Sequence, residues 1–471
     1  MPKHRKVKLL SDISMTGVVR LISSFSDMVS NTSYLMSNNT TVHSDVKIQE
    51  FIDSRIDWIK TFVFTGKLLN NSNCQLHLYL PFAAIPWYYY QLMVERLVSW
   101  LTQAVQTSKA VVRRSNSPPE SVHHVHVLVR FVHLLIHPRV KHIDLSSLPK
   151  VIKDCIYRQL DKMIGLEILN LGSGNGETIR QNSFKSFKKL VNMTKLTIKS
   201  DCQNDTLSIV GQNCPQLRYL DISSSGSVTE QGTSWLLLCK HLETVNMFQT
   251  SQSVPGYSQL LQGLERLSNI GRCDQFGEVM EYMAKCRSHP PSLQITNLHT
   301  RDMTFHQLHL TVTFCPNIEH VNLYVDEDLG HLLSPLSKLQ KLKELQLLAC
   351  NFHSDKVDRL VLDKGPQLQL LHLEHVDELD MAALRLIAQT CPNLAKLVFL
   401  NCDFVENFGT NLSTESFSVT TFHKLESLIC VSECTPNVIE FLLVQAKNLR
   451  NVQFGSTAWF NDQIVSSVLA R

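Results

Sequence analysis

The segment Ile168-Leu-Asn-Leu171-Gly-Ser-Gly-Asn-Gly176 places three glycines behind a short apolar alternation. Glycine lets a backbone approach a ligand closely, so a strand feeding such a turn is one way to hold a cofactor. A second candidate is a run of histidines: His123, His124, His126, His133, His137 and His142. Several are i,i+3 or i,i+4 neighbours on one helix, a spacing that suits zinc. No acidic residue or cysteine is interleaved among them, so an amphipathic, partly exposed helix explains the same spacing. The third candidate is the cysteines, 13 in all and without a CxxC pair. An odd number in a long chain points to reduced thiols, not a disulfide framework. No P-loop, G-x-S-x-G or H-E-x-x-H motif occurs.

The elements that must position these residues repeat. The text Cys214-Pro-Gln-Leu217-Arg-Tyr-Leu220-Asp-Ile222 returns as Cys239-Lys-His-Leu242-Glu-Thr-Val245-Asn-Met247. It returns again as Cys315-Pro-Asn-Ile318-Glu-His-Val321-Asn-Leu323 and as Cys391-Pro-Asn-Leu394-Ala-Lys-Leu397-Val-Phe399. Copies without the cysteine begin at Leu166, Met193, Leu342, Leu368, Leu425 and Leu449. Weaker copies read Val140/Ile143/Leu145 and Leu293/Thr296/Leu298, and a degenerate one at Leu267-Ser-Asn-Ile270 divides an otherwise double step. Most steps are 24 to 27 residues, within the span of leucine-rich repeats. The long step from Leu394 to Leu425 predicts a surface insertion over 407–419.

In L-x-x-L-x-L the residues alternate, so Leu220 and Ile222 point inward while Tyr219, Asp221 and Ser223 point out. Each strand then leads into a helix, as the stripe Leu384, Ile387, Ala388 before Cys391-Pro392 predicts. One unit cannot bury its own apolar face, so the units must stack. The predicted fold is an α/β leucine-rich-repeat solenoid: a horseshoe of parallel strands with outer helices, over 136–471, in about 13 repeats. Cys214, Cys239, Cys315 and Cys391 share a slot three before the first leucine; Cys350 and Cys402 share one eight after it. Spread over successive turns, they read as small core residues, not metal ligands.

This C-P-x-L-x-x-L-x-L text resembles the cysteine-containing repeats of F-box/LRR proteins, from about Val140 to the C-terminus. That resemblance implies a substrate receptor of a cullin-RING ubiquitin ligase, with an adaptor-binding helical module ahead of the array. Residues 1–135 lack the repeat and read as helical over 13–29, 46–64, 86–110 and 121–137. Leu148-Pro149-Lys-Val-Ile152 imitates the opening of an F-box but lies in phase with the array, which makes it a repeat helix. Leu80-Pro81 is followed by Pro86 and Trp87-Tyr-Tyr-Tyr90, which fit an F-box poorly. The stretch Leu10-Ser-Asp-Ile-Ser14-Met-Thr-Gly-Val18 partly matches a VHL-type box, with Ser14 where cysteine is usual. The glycine turn in its turn resembles the first motif of class I S-adenosylmethionine methyltransferases, with Asp201 as the ribose-binding acid. Asn170 stands where that motif has an acid, and Leu166, Leu169 and Leu171 keep the phase of the repeats.

Composition sets the class. At 44% hydrophobic and 18% charged, the 471-residue chain suits a folded protein, and a net charge of +3 gives no strong field for nucleic acid or anionic membrane. The basic start, Met1 to Lys8, reads as a solvated terminus, with an import signal as the alternative. No signal peptide is expected, because no apolar core and small-residue cleavage site follow that start. The most apolar segment, 87–101, is interrupted by Gln91, Glu95 and Arg96, so no spanning helix is expected. The expected location is intracellular, cytoplasmic or nuclear or both, with no cofactor and no metal.

The outward strand positions form the expected concave binding face. Tyr219, Asp221, Asn246, Phe248, His320, Asn322 and Tyr324 make its polar and aromatic centre, followed by His372 and Glu374. Towards the C-terminus it turns apolar, with Leu348, Leu370, Val398, Leu400, Ile429 and Val431. Outward aliphatic side chains mark either a binding patch or a surface covered by the insertion or by a terminal helix over 463–469. The expected function is therefore protein recognition without catalysis: a ligase substrate receptor, or a scaffold with no ubiquitin role, with the methyltransferase as the enzyme alternative.

Overall fold

Short strands with inward leucines need partners, and the computed structural model pairs them in sequence order. It describes residues 136–148, 150–173, 184–286, 292–325, 333–405 and 421–455, with single positions at 91, 94, 95, 98, 99, 102 and 466. The six positions between 91 and 102 are helical. The adaptor-box candidates at Leu10 and Leu80, four of the six histidines (His123, His124, His126 and His133) and the 407–419 insertion lie outside the described residues. So does the 463–469 segment, apart from position 466. The chain divides into two units, Met1–His241 and Leu242–Arg471.

In the first unit β1 (His142–Asp144), β2 (Ile168–Ser173), β3 (Lys195–Lys199) and β4 (Tyr219–Asp221) pair in parallel, each with the next. Between them lie α1 (Lys150–Tyr157), α2 (Asn204–Asn213) and short 3-10 turns; α3 (Glu230–Thr233) follows β4. The Leu148-Pro149 opening thus leads into a helix between β1 and β2, as its phase predicts.

The second unit holds β5 (Thr244–Asn246), β6 (Asn269–Arg272), β7 (Asn297–Arg301), β8 (His320–Tyr324), β9 (Glu344–Asn351) and β10 (Leu370–Asp377). It continues with β11 (Lys396–Leu400), β12 (Ser427–Val431) and β13 (Asn451–Phe454). Every pairing is parallel and joins sequence neighbours. The intervening helices are α4 (Val254–Gly263), α5 (Phe276–Cys286), α6 (Phe305–Phe314), α7 (Val357–Lys364), α8 (Met381–Thr390) and α9 (Pro436–Gln445). Parallel neighbours need a crossover, and helices or 3-10 turns provide it, except between β11 and β12, where residues 406–420 lie outside the described residues. Each unit is an α/β leucine-rich-repeat array.

The core is the repeat slots. Leu166, Leu217, Leu242, Ile318, Leu342, Leu368 and Leu425, in the first slot, are fully buried, as are Leu169, Leu220, Val245, Leu345, Leu371, Leu397 and Leu428 in the second. The degenerate repeat at Leu267 is real: β6 starts two residues after it, and Ile270 is buried.

One repeat is corrected. Asn297 pairs with Asn269 and His320, and Leu298 with Val321, so the frame is Ile295/Leu298/Thr300 and not Leu293/Thr296/Leu298. Ile295, Leu298 and Thr300 are all buried. A shift of two keeps every side chain on its own face, so apolar alternation alone fits both frames. Leu293 is buried as well, its N–H bonded to the Phe314 carbonyl, which is why it passes for the first leucine.

A turn of fixed geometry follows the strands. Ser200, Ser224, Gln249, Asp302, Ala349, His375 and Asn401 all have positive φ, between 50° and 67°. Each stands seven residues after the first apolar slot, counted from Ile295 in the corrected repeat. The left-handed residue turns the chain out of the strand towards the next crossover.

Candidate functional site

The glycine turn is occupied by its own repeat. Gly172 has φ +63°, and a Cβ there would lie 2.7 Å from the Ser146 Cα of the preceding turn. Its N–H donates to Asn170 Oδ1 at 2.9 Å. Beneath it, Lys153 is buried and donates from Nζ to the carbonyls of Leu171 at 2.7 Å and Ser173 at 3.3 Å. Burial holds that amine below the usual lysine range, against the opposing pull of Asp201 and Asp144. Asp201 thus faces a lysine of its own fold. Methyltransferase-like cofactor sites lie where the strand order of a doubly wound sheet reverses, whereas β1 to β4 run in sequence order. Gly174 and Gly176 lie outside the described residues.

Of the histidine cluster, His137 and His142 are described. His137 Nδ1 accepts the Arg139 N–H at 3.1 Å, and His142 Nε2 lies 4.0 Å from Glu167. No group of three or more metal-ligating side chains occurs among the described residues. No helix among them is long and apolar enough to cross a membrane.

The cysteines are packed as their spacing predicts. Cys214, Cys239, Cys315, Cys350, Cys391 and Cys402 are buried and free. Cys214 and Cys239 donate to the Leu190 and Cys214 carbonyls at 3.5 and 3.6 Å, one turn back. Burial pushes the Cys214 thiol up to about 12 and the Cys239 thiol up to about 11.

The outward strand residues are the remaining candidate. In the first unit, Tyr219 is half-buried, with Lys195 Nζ 4.4 Å from its ring centre. Asp221 does not project to solvent; it is 3% exposed. Its carboxylate accepts the Ser223 N–H at 3.0 Å and meets Lys199 at 3.2 Å. Asp144, Asn170 and Asn246 use the same slot in the same way, accepting the N–H two residues on. This slot shapes the strand exit, so the acceptors read as partner contacts are in part spent on the fold.

In the second unit the register collects the candidates into rows. Asn322, Gln346, His372, Val398 and Ile429 occupy successive strands of one row. Arg301, Tyr324, Leu348, Glu374, Leu400 and Val431 form the next. Asn322 donates to Gln346 at 2.9 Å, and His320 Nδ1 lies 2.9 Å from Glu344. His372 Nε2 is 3.5 Å from Glu374; burial holds this imidazole below its usual pKa, Glu374 opposing and Lys396 adding to the effect. Val398, at 4% exposed, is buried, so the apolar end of the face is carried by Leu348, Leu400, Ile429 and Val431, all partly exposed.

The aromatics carry partners that sequence reading missed. The Arg272 guanidinium lies 4.6 Å from the Phe248 ring centre and pairs with Asp274 at 2.8 Å. The Arg301 guanidinium lies 5.6 Å from the Tyr324 ring centre and pairs with Asp302 at 2.5 Å. Tyr324 is 37% exposed, the most open aromatic of the face. The frame error at β7 hid Arg301, which stands opposite Tyr324 once that repeat starts at Ile295. Arg272 was hidden by the bulge at Gly271, φ +66°, which moves it opposite His299.

No family model matches the chain, and no curated protein matches it. Among solved structures, a leucine-rich-repeat protein of Leptospira interrogans is similar over 70% of this chain and 86% of that one, at 14% identity and a TM-score of 0.32. The repeat architecture itself rests on the strand register and the buried slots.

Proposed function

We propose that the chain is a non-enzymatic protein-recognition module that grips its partner with the outward faces of its strands. The observation that carries this reading is the second unit's face. Its rows change from Arg-backed aromatics at Phe248 and Tyr324 to aliphatic side chains at Leu400, Ile429 and Val431. Aromatic and arginine side chains are the usual anchors of protein interfaces, and clustered outward aliphatics are seldom left bare. The finer role, substrate receptor of a cullin-RING ubiquitin ligase, follows from the resemblance of the Cys-Pro repeats to F-box/LRR proteins. In it, residues 1–135 would engage the adaptor. A scaffold with no ubiquitin role would use the same face.

Affinity purification of the full chain, with and without proteasome inhibition, separates these roles. Recovery of a cullin and an adaptor is the expected result, and recovery of neither removes the ligase role. Replacing Phe248 and Tyr324 by Ala should weaken capture of the protein partner by about tenfold or more, since interface anchors each contribute about 1–2 kcal/mol or more. Unchanged capture would move the site off the strand face.

A further inference from the structure

Cys430 and Cys434 differ from the other buried cysteines. Cys214, Cys239 and Cys402 each donate to a carbonyl of a neighbouring turn. Cys430 and Cys434 instead meet each other, Sγ to Sγ at 4.0 Å. Cys430 is the penultimate residue of β12 and Cys434 lies between β12 and α9; both are buried. We propose that this thiol pair is an oxidation site, closed to an intrachain disulfide by a hydroperoxide.

The chemistry balances with the oxidant named. The Cys434 thiolate attacks the peroxide oxygen, forming a sulfenic acid and releasing water or an alcohol. The Cys430 sulfur then attacks that sulfenic sulfur, its own proton leaves with the hydroxide as water, and the S–S bond forms. Two thiols lose two electrons and two protons to one peroxide. From 4.0 Å the sulfurs need approach by only about 2 Å to reach bonding distance.

Two structural features favour this pair. Cys434 precedes Thr435, the N-cap of the ten-residue helix α9, where the helix end favours negative charge. The contact with Cys430 also holds the Cys434 thiol below its usual range, and the same contact, with burial, holds Cys430 above it. Cys214, Cys239, Cys315, Cys350, Cys391 and Cys402 are all pushed the other way by burial. Access comes from position. The next strand, β13, is exposed at Asn451, Val452 and Gln453, so opening of this last described repeat uncovers the turn first.

The test uses the full chain. Hydrogen peroxide is added near stoichiometry, free thiols are alkylated after denaturation, and the chain is cut by trypsin. Residues 425–447 form one tryptic peptide holding Cys430, Cys434 and no other cysteine. This peptide should be about 2 Da lighter and carry no alkyl group. Bridging should be at least about tenfold faster in the folded chain than in urea, because the fold brings the thiols together. In Cys430→Ser, Cys434 should accumulate as a sulfenic acid trapped by a cyclic dione; in Cys434→Ser, Cys430 should stay reduced. The exposed Cys286 serves as the reference for simple access. A doubly alkylated 425–447 peptide after Cys286 has been oxidised would overturn the proposal, as would equal bridging rates in urea.

Discussion

A single amide caps the outer edge of β1. Gln91 is buried, and its Nε2 donates to the His142 carbonyl at 2.7 Å while its Oε1 accepts the His142 N–H at 2.9 Å. One side chain therefore takes the place of a neighbouring strand, none being paired to β1 on that side among the described residues. An uncovered edge strand is a liability, and an unpaired buried donor or acceptor costs about 1–3 kcal/mol. Gln91→Leu, similar in size but unable to bond, should lower stability by that amount, read as a drop in the urea midpoint of the full chain. Glu95→Ala, which removes only the exposed carboxylate that accepts from Gln91 at 3.0 Å, should shift it far less. Equal midpoints for Gln91→Leu and the parent would mean that water satisfies the edge. Nothing in the sequence marks this residue except that it interrupts an apolar run. Its role depends on a partner 51 positions away, beyond the reach of any local pattern.

The repeats that begin with a clear leucine triplet are strands in the expected frame, because the period-two alternation and the burial it demands coincide. The β7 repeat escaped because Leu293 and Ile295 are both buried, and a two-residue slip preserves every facing. The left-handed residue of each turn escaped for another reason. Those positions hold Ser, Gln, Asp, Ala, His and Asn, not the glycine that a reader looks for. Helix starts are partly legible. Asp380 caps α8 by accepting the Ala383 N–H at 2.8 Å, and its carboxylate also lies 3.5 Å from the buried His353. Loss of such a cap costs about 0.5–2 kcal/mol. Asp380→Ala should fall at the upper end of that range because the His353 contact goes with the cap. Asp380→Asn keeps a capping oxygen and should retain most of the stability. Thermal melts of the two variants check this; equal losses would place the effect in the lost charge and not in the cap.

At the scale of the whole molecule, the outward face was legible as a list of slots but not as a surface. Asp221 and Val398 stand at outward positions yet are buried, because a slot states direction and not the height of its neighbours. Over residues 1–135 no repeat imposes a frame, and spacing gave only helical stretches and poor adaptor-box matches. The array also implies a gradient of stability along the second unit. In a stack of repeats each unit is held by its neighbours, so a repeat whose strand is buried is held more firmly than one whose strand is exposed. Leu371, in the eight-residue β10, is 0% exposed, whereas Val452 fills the same slot in the four-residue β13 and is 47% exposed. Leu371→Ala should therefore cost about 2–5 kcal/mol, and Val452→Ala about 0.5 kcal/mol or less. Hydrogen exchange reads the same gradient without mutation. Amides of β10 should exchange only through large-scale unfolding, and those of β13 through local opening at least about a hundredfold more readily. Matching protection in β10 and β13, together with a large loss for Val452→Ala, would show that the last strand is held as firmly as the interior. In that case the route by which peroxide reaches Cys434 would have to lie elsewhere than at β13.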